Sequence, residues 1–461
     1  MIRRSTLALC AATFVAAAAP FGCGSPGELG GDLDTQDGGE DGGILIDGDP
    51  GTEFTVGDGK VDPPCVGLKC QQVACTGGGT TSLSGTVYDP AARVPLYNVI
   101  VYVPNAPLDP IPKPLSCDKC GAIASGSPIV TTLTDAKGQF TLKNVPVGKD
   151  IPLVMQVGKW RRKVILPEVK ECVDNPLTDK NLTRLPKSRK EGDLPQIAVT
   201  TGAADELECF LREIGVDDSE FSGGGGAGAI HLYNGFGGST MAGVTGAQPF
   251  WSSFDNLKKY DIVVLSCEGA EHNENKGAAA FSALQQYANG GGRVFASHFH
   301  YTWFKNGPAD FRSTATWTGG GTTSPYSVDM GFPKGKAFGE WLVNVGASTT
   351  LGQIPLTAVK NDVGGINAAT STRWIYKGAA PESVKYMSFA TPIGKTAEEQ
   401  CGRAVFSDIH ISNTTGGGTF PSACAPGGEF SPQEKALEFL FFDLSSCVQP
   451  DGEPPKPPPV K

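Results

Sequence analysis

All five histidines of this 461-residue chain (His231, His272, His298, His300 and His410) lie in its second half, together with a cysteine in the run Leu265-Ser-Cys267-Glu268-Gly269. Three kinds of chemistry can be read from these residue types. His298 and His300 are two apart on an expected strand and so share a face. His410 closes another strand just after Ser407-Asp408, while Glu268 and His272 follow a neighbouring strand end. Neutral imidazoles near a carboxylate make an open site for zinc or another divalent ion, with His298, His300 and His410 as its ligands. A cysteine on a tight strand-to-helix turn is also how a thiolate nucleophile is held, which makes Cys267, His298 and His410 the candidate catalytic set. Tyr301 and Trp303 follow directly on His300. With Glu268, His272, His300 and Asp408 they make a candidate ligand surface, because aromatic faces beside polar groups suit sugars. The plain alternative for every one of these histidines is a hydrogen-bonded place in the core or a loop.

These residues need a scaffold that brings strand ends together. From Pro195 to Cys447 strands and helices alternate: strand 196–200, helix 204–214, the continuous apolar strand Tyr260–Leu265, helix 276–288, a stop at Asn289-Gly-Gly-Gly292, and the strand that opens at Arg293. Such alternation predicts a parallel sheet with right-handed crossovers, and those folds bind ligands at the carboxyl ends of their strands. Ser431 with Glu434 predicts a capping box that starts the last helix, 431–444. From Thr80 to Leu185 the pattern is instead all-β. Short β-branched runs (83–88, 97–103, 128–133, 140–142, 151–157, 163–166) are separated by turn signals such as Asp135-Ala-Lys-Gly138, which predicts a small sandwich. The fold class is therefore multidomain α and β.

Each half resembles a known family. Ser84-Gly-Thr-Val87, Pro95-Leu-Tyr-Asn-Val-Ile-Val101, Thr134-Asp-Ala-Lys-Gly-Gln-Phe-Thr-Leu142 and Val145-Pro-Val-Gly148 resemble the carboxypeptidase regulatory-like domain. That resemblance implies a transthyretin-like β-sandwich grouped with carbohydrate-binding folds. It brings no peptidase activity, since the spacing His-x-x-Glu is absent from the sequence. Tyr260–Leu265, Tyr287-Ala-Asn-Gly-Gly-Gly-Arg-Val-Phe295 and Cys401-Gly-Arg-Ala-Val-Phe-Ser-Asp-Ile-His410 resemble the class I glutamine amidotransferase-like fold, nearest its trehalose-utilisation (ThuA-like) branch. A flavodoxin-like α/β parallel sheet is implied. In that family the nucleophile follows the strand after the Gly-Gly turn, a place nearest His298 here, whereas Cys267 lies one strand earlier. A Cys209–Cys267 disulfide is the alternative for that thiol. The whole arrangement also resembles a group of bacterial lipoproteins that join these two modules.

The ends of the chain carry a different message. Arg3-Arg4, an apolar run from Leu7 to Phe21 and then Gly22-Cys23 make a lipoprotein signal peptide over 1–22, with Cys23 as the lipidated residue. With no aspartate directly after Cys23, the resemblance to a lipobox favours the outer membrane, at its periplasmic face or the cell surface. Residues 24–64 hold eleven acids and one base, which accounts for the entire net charge of −10. They read as an acidic tether over 23–64. The carboxypeptidase regulatory-like domain is then 65–190, the amidotransferase-like domain 195–447, and a proline-rich tail 448–461 is expected to be disordered. The acidic balance excludes a general nucleic-acid binder. Of the eleven cysteines after Cys23, six precede position 175 and five follow 205. In an oxidising compartment the six can close within the first module, and the five leave one thiol over. Together these features predict an envelope-anchored lipoprotein with a binding or scaffolding role toward glycan or cell-wall material, attached to the membrane by its lipid. The alternative is a hydrolase or amidotransferase-like enzyme using Cys267 or a histidine-bound divalent metal.

Overall fold

Strand β1 (Ser82–Thr86) begins a seven-strand region that continues through β2 (Ile100–Pro104), β3 (Pro128–Leu133), β4 (Gln139–Lys143), β5 (Gly148–Val157), β6 (Trp160–Val169) and β7 (Asp174–Leu177). The computed structural model describes residues 65–112, 114–378, 382–411, 417–425 and 427–460. The signal peptide, Cys23 and the tether lie outside them. The strands form two sheets, ordered β4-β1-β7 and β3-β2-β5-β6. The second is antiparallel throughout, and in the first β1 runs antiparallel to β4 but parallel to β7. Alternation explains which side chains meet: Phe140 and Leu142 point inward from β4 while Gln139, Thr141 and Lys143 face water. They join Leu83, Val101, Leu153 and Met155 in one apolar cluster, giving a β-sandwich-like layer pair. The Asp135–Gly138 signal forms its turn, with the Asp135 carboxylate accepting from the amides of Lys137 (2.8 Å) and Gln139 (2.9 Å). Gly138 is required there. Its φ is +71°, and a Cβ would stand 2.6 Å from the Cβ of Pro95.

The second half is built on β8 (Ile197–Thr200), β9 (Ile230–Asn234), β10 (Ile262–Leu265), β11 (Arg293–Ser297), β12 (Tyr326–Val328), β13 (Thr372–Lys377), β14 (Ser383–Thr391) and β15 (Gly402–Ser407). Five of these run parallel in the order β9-β8-β10-β11-β15. The antiparallel strands β14, β13 and β12 then extend the sheet beyond β15. Short strands at Phe221–Gly223, Thr245–Gly246 and Gln353–Ile354 complete eleven. Helices α1 (Leu207–Glu213), α2 (Ala278–Asn289), α3 (Pro333–Asn344) and α4 (Pro432–Ser445) accompany the strands. The Ser431–Glu434 capping box starts α4 as its spacing predicts.

Helix α4 is also the seam between the halves. Phe439 stacks on Tyr97 at 5.5 Å, Phe442 meets Trp160 edge-on at 5.7 Å, and the Trp341 indole donates to the carbonyl of Pro95 at 2.7 Å. One apolar cluster runs from Leu83 in β1 to Leu444 in α4, and the described residues pack as one unit.

The cysteines correct two expectations. The first module does not close its six cysteines internally. Only Cys65–Cys70 and Cys75–Cys172 pair there, while Cys117 joins Cys401 and Cys120 joins Cys447 across the seam. Cys209 bonds Cys424, not Cys267. Spacing does not encode pairing, and the 105–127 loop reaches the second half because the seam is continuous. Nor is the tail loose: Asp451 pairs with buried Arg403 at 2.8 Å, and the Pro458 carbonyl accepts from Thr131 at 2.7 Å.

Candidate functional site

Register brings the site together. Leu265 of β10 pairs with Ala296 of β11, and Ser297 pairs with Ser407 of β15. Cys267, His298 and the segment Asp408–His410 therefore leave the carboxyl edge of the sheet at nearly one level. The loop after β8 closes over them. Gly202 permits that approach, since a Cβ there would lie 2.2 Å from the Cys267 carbonyl oxygen, and the Ala204 amide donates to the same oxygen at 3.0 Å.

Among the described residues Cys267 is the only cysteine outside a disulfide, and it is fully buried. Its Sγ lies 3.2 Å from Nδ1 of His298. The His298 and His410 rings are 5.0 Å apart, and one ligand atom from each of Cys267, His298 and His410 lies within 4.8 Å of the others. With the thiol donating to Nδ1, the other ring nitrogen of His298 turns toward Asp362, 3.4 Å away. His298 holds a left-handed φ of +43°, a strained conformation for a residue with a side chain. His410 is 3% exposed, and among the described residues its Nε2 has no hydrogen-bond partner.

Burial decides the charge states. It pushes the Cys267 thiol up to about 11, and the backbone donors at Phe299 and Gly269 only partly oppose it. Burial also pulls His298 and His410 down to about 3, with the Lys360 charge adding to the effect. At neutral pH the site is thus a thiol between two uncharged imidazoles. A free thiolate is disfavoured, while neutral imidazole is the form that binds metal.

Other candidates are placed elsewhere. His300 does not share the face of His298, because β11 ends at Ser297 and residues His298–Tyr301 turn as a 3-10 helix. Its ring is fixed on both sides: Trp303 donates to Nδ1 at 2.9 Å and Nε2 donates to the Ser266 carbonyl at 2.8 Å. Both nitrogens being engaged, His300 is removed from the metal set. Trp303 is fully buried, and Tyr301 is 7% exposed with its hydroxyl on Glu271, so neither offers a face to a sugar. Glu268 is spent on a buried ion pair with Lys276 (2.8 Å) and on the Phe236 amide (2.9 Å). Burial raises its pKa, but His300, Lys276 and these hydrogen bonds hold it below the ordinary range. His272 sits apart, bonded to Glu274 at 3.0 Å and with its ring tilted against Phe236 at 4.1 Å. Asp408 is wholly buried, and its carboxylate accepts the Asp362 amide at 2.8 Å. Burial and then the facing Asp362 charge keep Asp408 protonated well above the usual range.

Sequence reasoning missed Asp205, Lys360 and Asp362, which surround the thiol and imidazoles from two loops, one after β8 and one shared by Lys360 and Asp362. Asp205 accepts from Ser297 (2.5 Å) and from the Ile411 amide (3.0 Å), tying the β8 loop to the ends of β11 and β15. Its place just after the first strand was the one available signal.

No protein-family model matches the chain, and no curated protein matches it. Among solved structures, two that match are an N-terminal and a C-terminal interface mutant of a type II cohesin–X-dockerin complex from Acetivibrio cellulolyticus, each 13% identical over 32% of this chain and 78% of that one, at a TM-score of 0.16, too low to bear on fold or partner.

Proposed function

We propose that this protein is an envelope-anchored lipoprotein of the outer membrane that binds glycan or cell-wall material in a cleft at the seam of its halves. One observation carries the reading. A cleft of about 330 Å³ opens between the sandwich, the loop fastened by Cys117 and Cys120, and the C-terminal tail. That volume lies within the range of ligand pockets, and disulfide-fastened walls lower the ordering cost of binding. Its lining mixes proline faces (Pro110, Pro112, Pro458) with the polar groups of Asn98, Asp109 and Gln156, and among the described residues it holds no aromatic ring. Recognition there rests on hydrogen bonds to hydroxyl and amide groups. The transthyretin-like reading of the first half draws support from its three- and four-stranded sheets. For the flavodoxin-like reading the support is the β9-β8-β10-β11-β15 order, which in chain order is second, first, third, fourth, fifth.

Purified cell-wall sacculi should retain the mature protein on sedimentation. Ala124→Arg, which fills the cleft, should cut retention about tenfold, the scale of 1.4 kcal/mol. No retention, or retention indifferent to Ala124→Arg, overturns the reading.

One observation favours a second reading, a hydrolase or amidotransferase-like enzyme: the unpaired Cys267 thiol lies 3.2 Å from His298. Its full burial weighs against an acyl substrate reaching the sulfur.

A further inference from the structure

The sealed cluster has chemistry of its own, independent of the cleft. We infer that Cys267, His298 and His410 bind one transition-metal ion of the borderline-soft class, zinc(II) foremost. One thiolate and two imidazoles form a donor set of one sulfur and two nitrogens, which suits zinc and its neighbours and does not suit the hard cations that demand oxygen ligands. The donors are already gathered: Sγ and Nδ1 stand 3.2 Å apart, and all three ligand atoms lie within 4.8 Å of one another. Ligands at about 2.0–2.3 Å from a tetrahedral ion need little further approach.

Three more observations fit an ion better than a plain core. Among the described residues the buried Nε2 of His410 has no partner, a cost that ligation would remove. Asp362 stands 3.4 Å from the far nitrogen of His298, where a carboxylate orients a metal-bound imidazole. The other described cysteines are all in disulfides, yet Cys267 remains a thiol against an imidazole. On binding, the metal–sulfur bond forms as the thiol proton leaves to solvent, and the imidazoles bind as neutral donors. The three side chains leave a fourth position for water or a small ligand.

The test uses the full mature protein, stripped by chelator and handled without added thiols so that its disulfides persist. Cobalt(II) is the probe and zinc(II) the competitor. One equivalent of cobalt should give a sulfur-to-cobalt charge-transfer band with the visible absorption of a four-coordinate ion, and zinc should bleach both. Cys267→Ser should abolish the charge-transfer band. His410→Gln should keep the band while weakening affinity by about 10–100-fold or more, at least the scale on which supporting groups act. His231→Gln, at a histidine bonded to Tyr260 far along the sheet, should change nothing. Absence of stoichiometric cobalt binding by the folded wild type overturns the inference, as does a titration indifferent to His410→Gln or equally weakened by His231→Gln. Should Cys267→Ser fail to fold, His410→Gln decides alone.

Discussion

The two halves bury different things. Within the sandwich strands the interior is almost wholly apolar, and the charged groups it hides, Asp89, Arg161 and Arg184, sit at its borders. The α/β half hides Asp205, Glu208, Glu268, Lys276, Lys385, Arg403, Asp408 and Glu438 along with His298, His300 and His410. Buried apolar surface stabilises directly, at roughly 25 cal/mol per Å². Buried ionisable groups seldom do so on balance, because desolvation offsets their attraction. Where they collect beside strand ends and shift their pKa values, they mark a place kept for chemistry. Both halves hold large apolar cores, and the contrast lies in the buried ionisable groups that only the α/β half gathers at the carboxyl edge of its parallel sheet.

The largest expected effect is at the seam. Trp160 is fully buried against Phe442 of α4, so Trp160→Ala should cost about 3–5 kcal/mol in urea unfolding. Both halves should still unfold in one transition, because their apolar cluster is continuous. Two separated transitions would break the comparison, since the seam would then hold nothing together.

A smaller effect sits where the two kinds of interior meet. Asp89 of the sandwich faces Glu438 of α4. Burial raises Asp89 to about 6, and burial with the facing Asp89 raises Glu438 well above its ordinary value. Groups with raised folded-state pKa values bind protons more tightly folded than unfolded. Their stability is full below about pH 4 and is lost as pH rises through the folded values. Asp205 and Glu208, both raised to about 7 chiefly by burial, act in the same direction. Glu438→Gln should therefore flatten the decline above pH 4 and stabilise the protein at pH 8 by about 1–3 kcal/mol. A variant with an unchanged pH profile would show that this buried pair does not set the decline.

The same contrast explains what could be read from the chain. The sandwich was legible because turn chemistry and strand alternation are local: Asp135 and Gly138 alone locate a turn, and Phe140 with Leu142 show which face is inside. Convergence of Cys267, His298 and His410 was legible for a related reason, as each follows an apolar strand of one parallel set. His300 was misplaced because nothing in Ser297-His298-Phe299-His300 marks where extended backbone gives way to a 3-10 turn. Asp362, Lys360 and the cross-seam disulfides were illegible. They depend on loops brought together by tertiary packing, and the antiparallel strands beyond β15 lie past a glycine-rich stretch, 318–324, that hides its own continuation.

The smallest effect tests whether the tail belongs to the core or to the cleft. Residues 454–460 have no regular structure, and their described side-chain bond is the one from Thr131 to the Pro458 carbonyl. Asp451 on Arg403 and the Cys120–Cys447 bond lie before them and would survive truncation after residue 453. Deletion should then cost about 0.5–1.5 kcal/mol, the worth of one hydrogen bond. Pro455, Lys456 and Pro458 nonetheless form one wall of the cleft. Removing that wall should lower retention on sacculi several-fold while the urea midpoint barely moves. A loss of stability on the scale of Trp160→Ala would make the tail part of the seam. Unchanged retention would place the ligand on the other walls, and the cleft would then be defined by the sandwich and the Cys117–Cys120 loop alone.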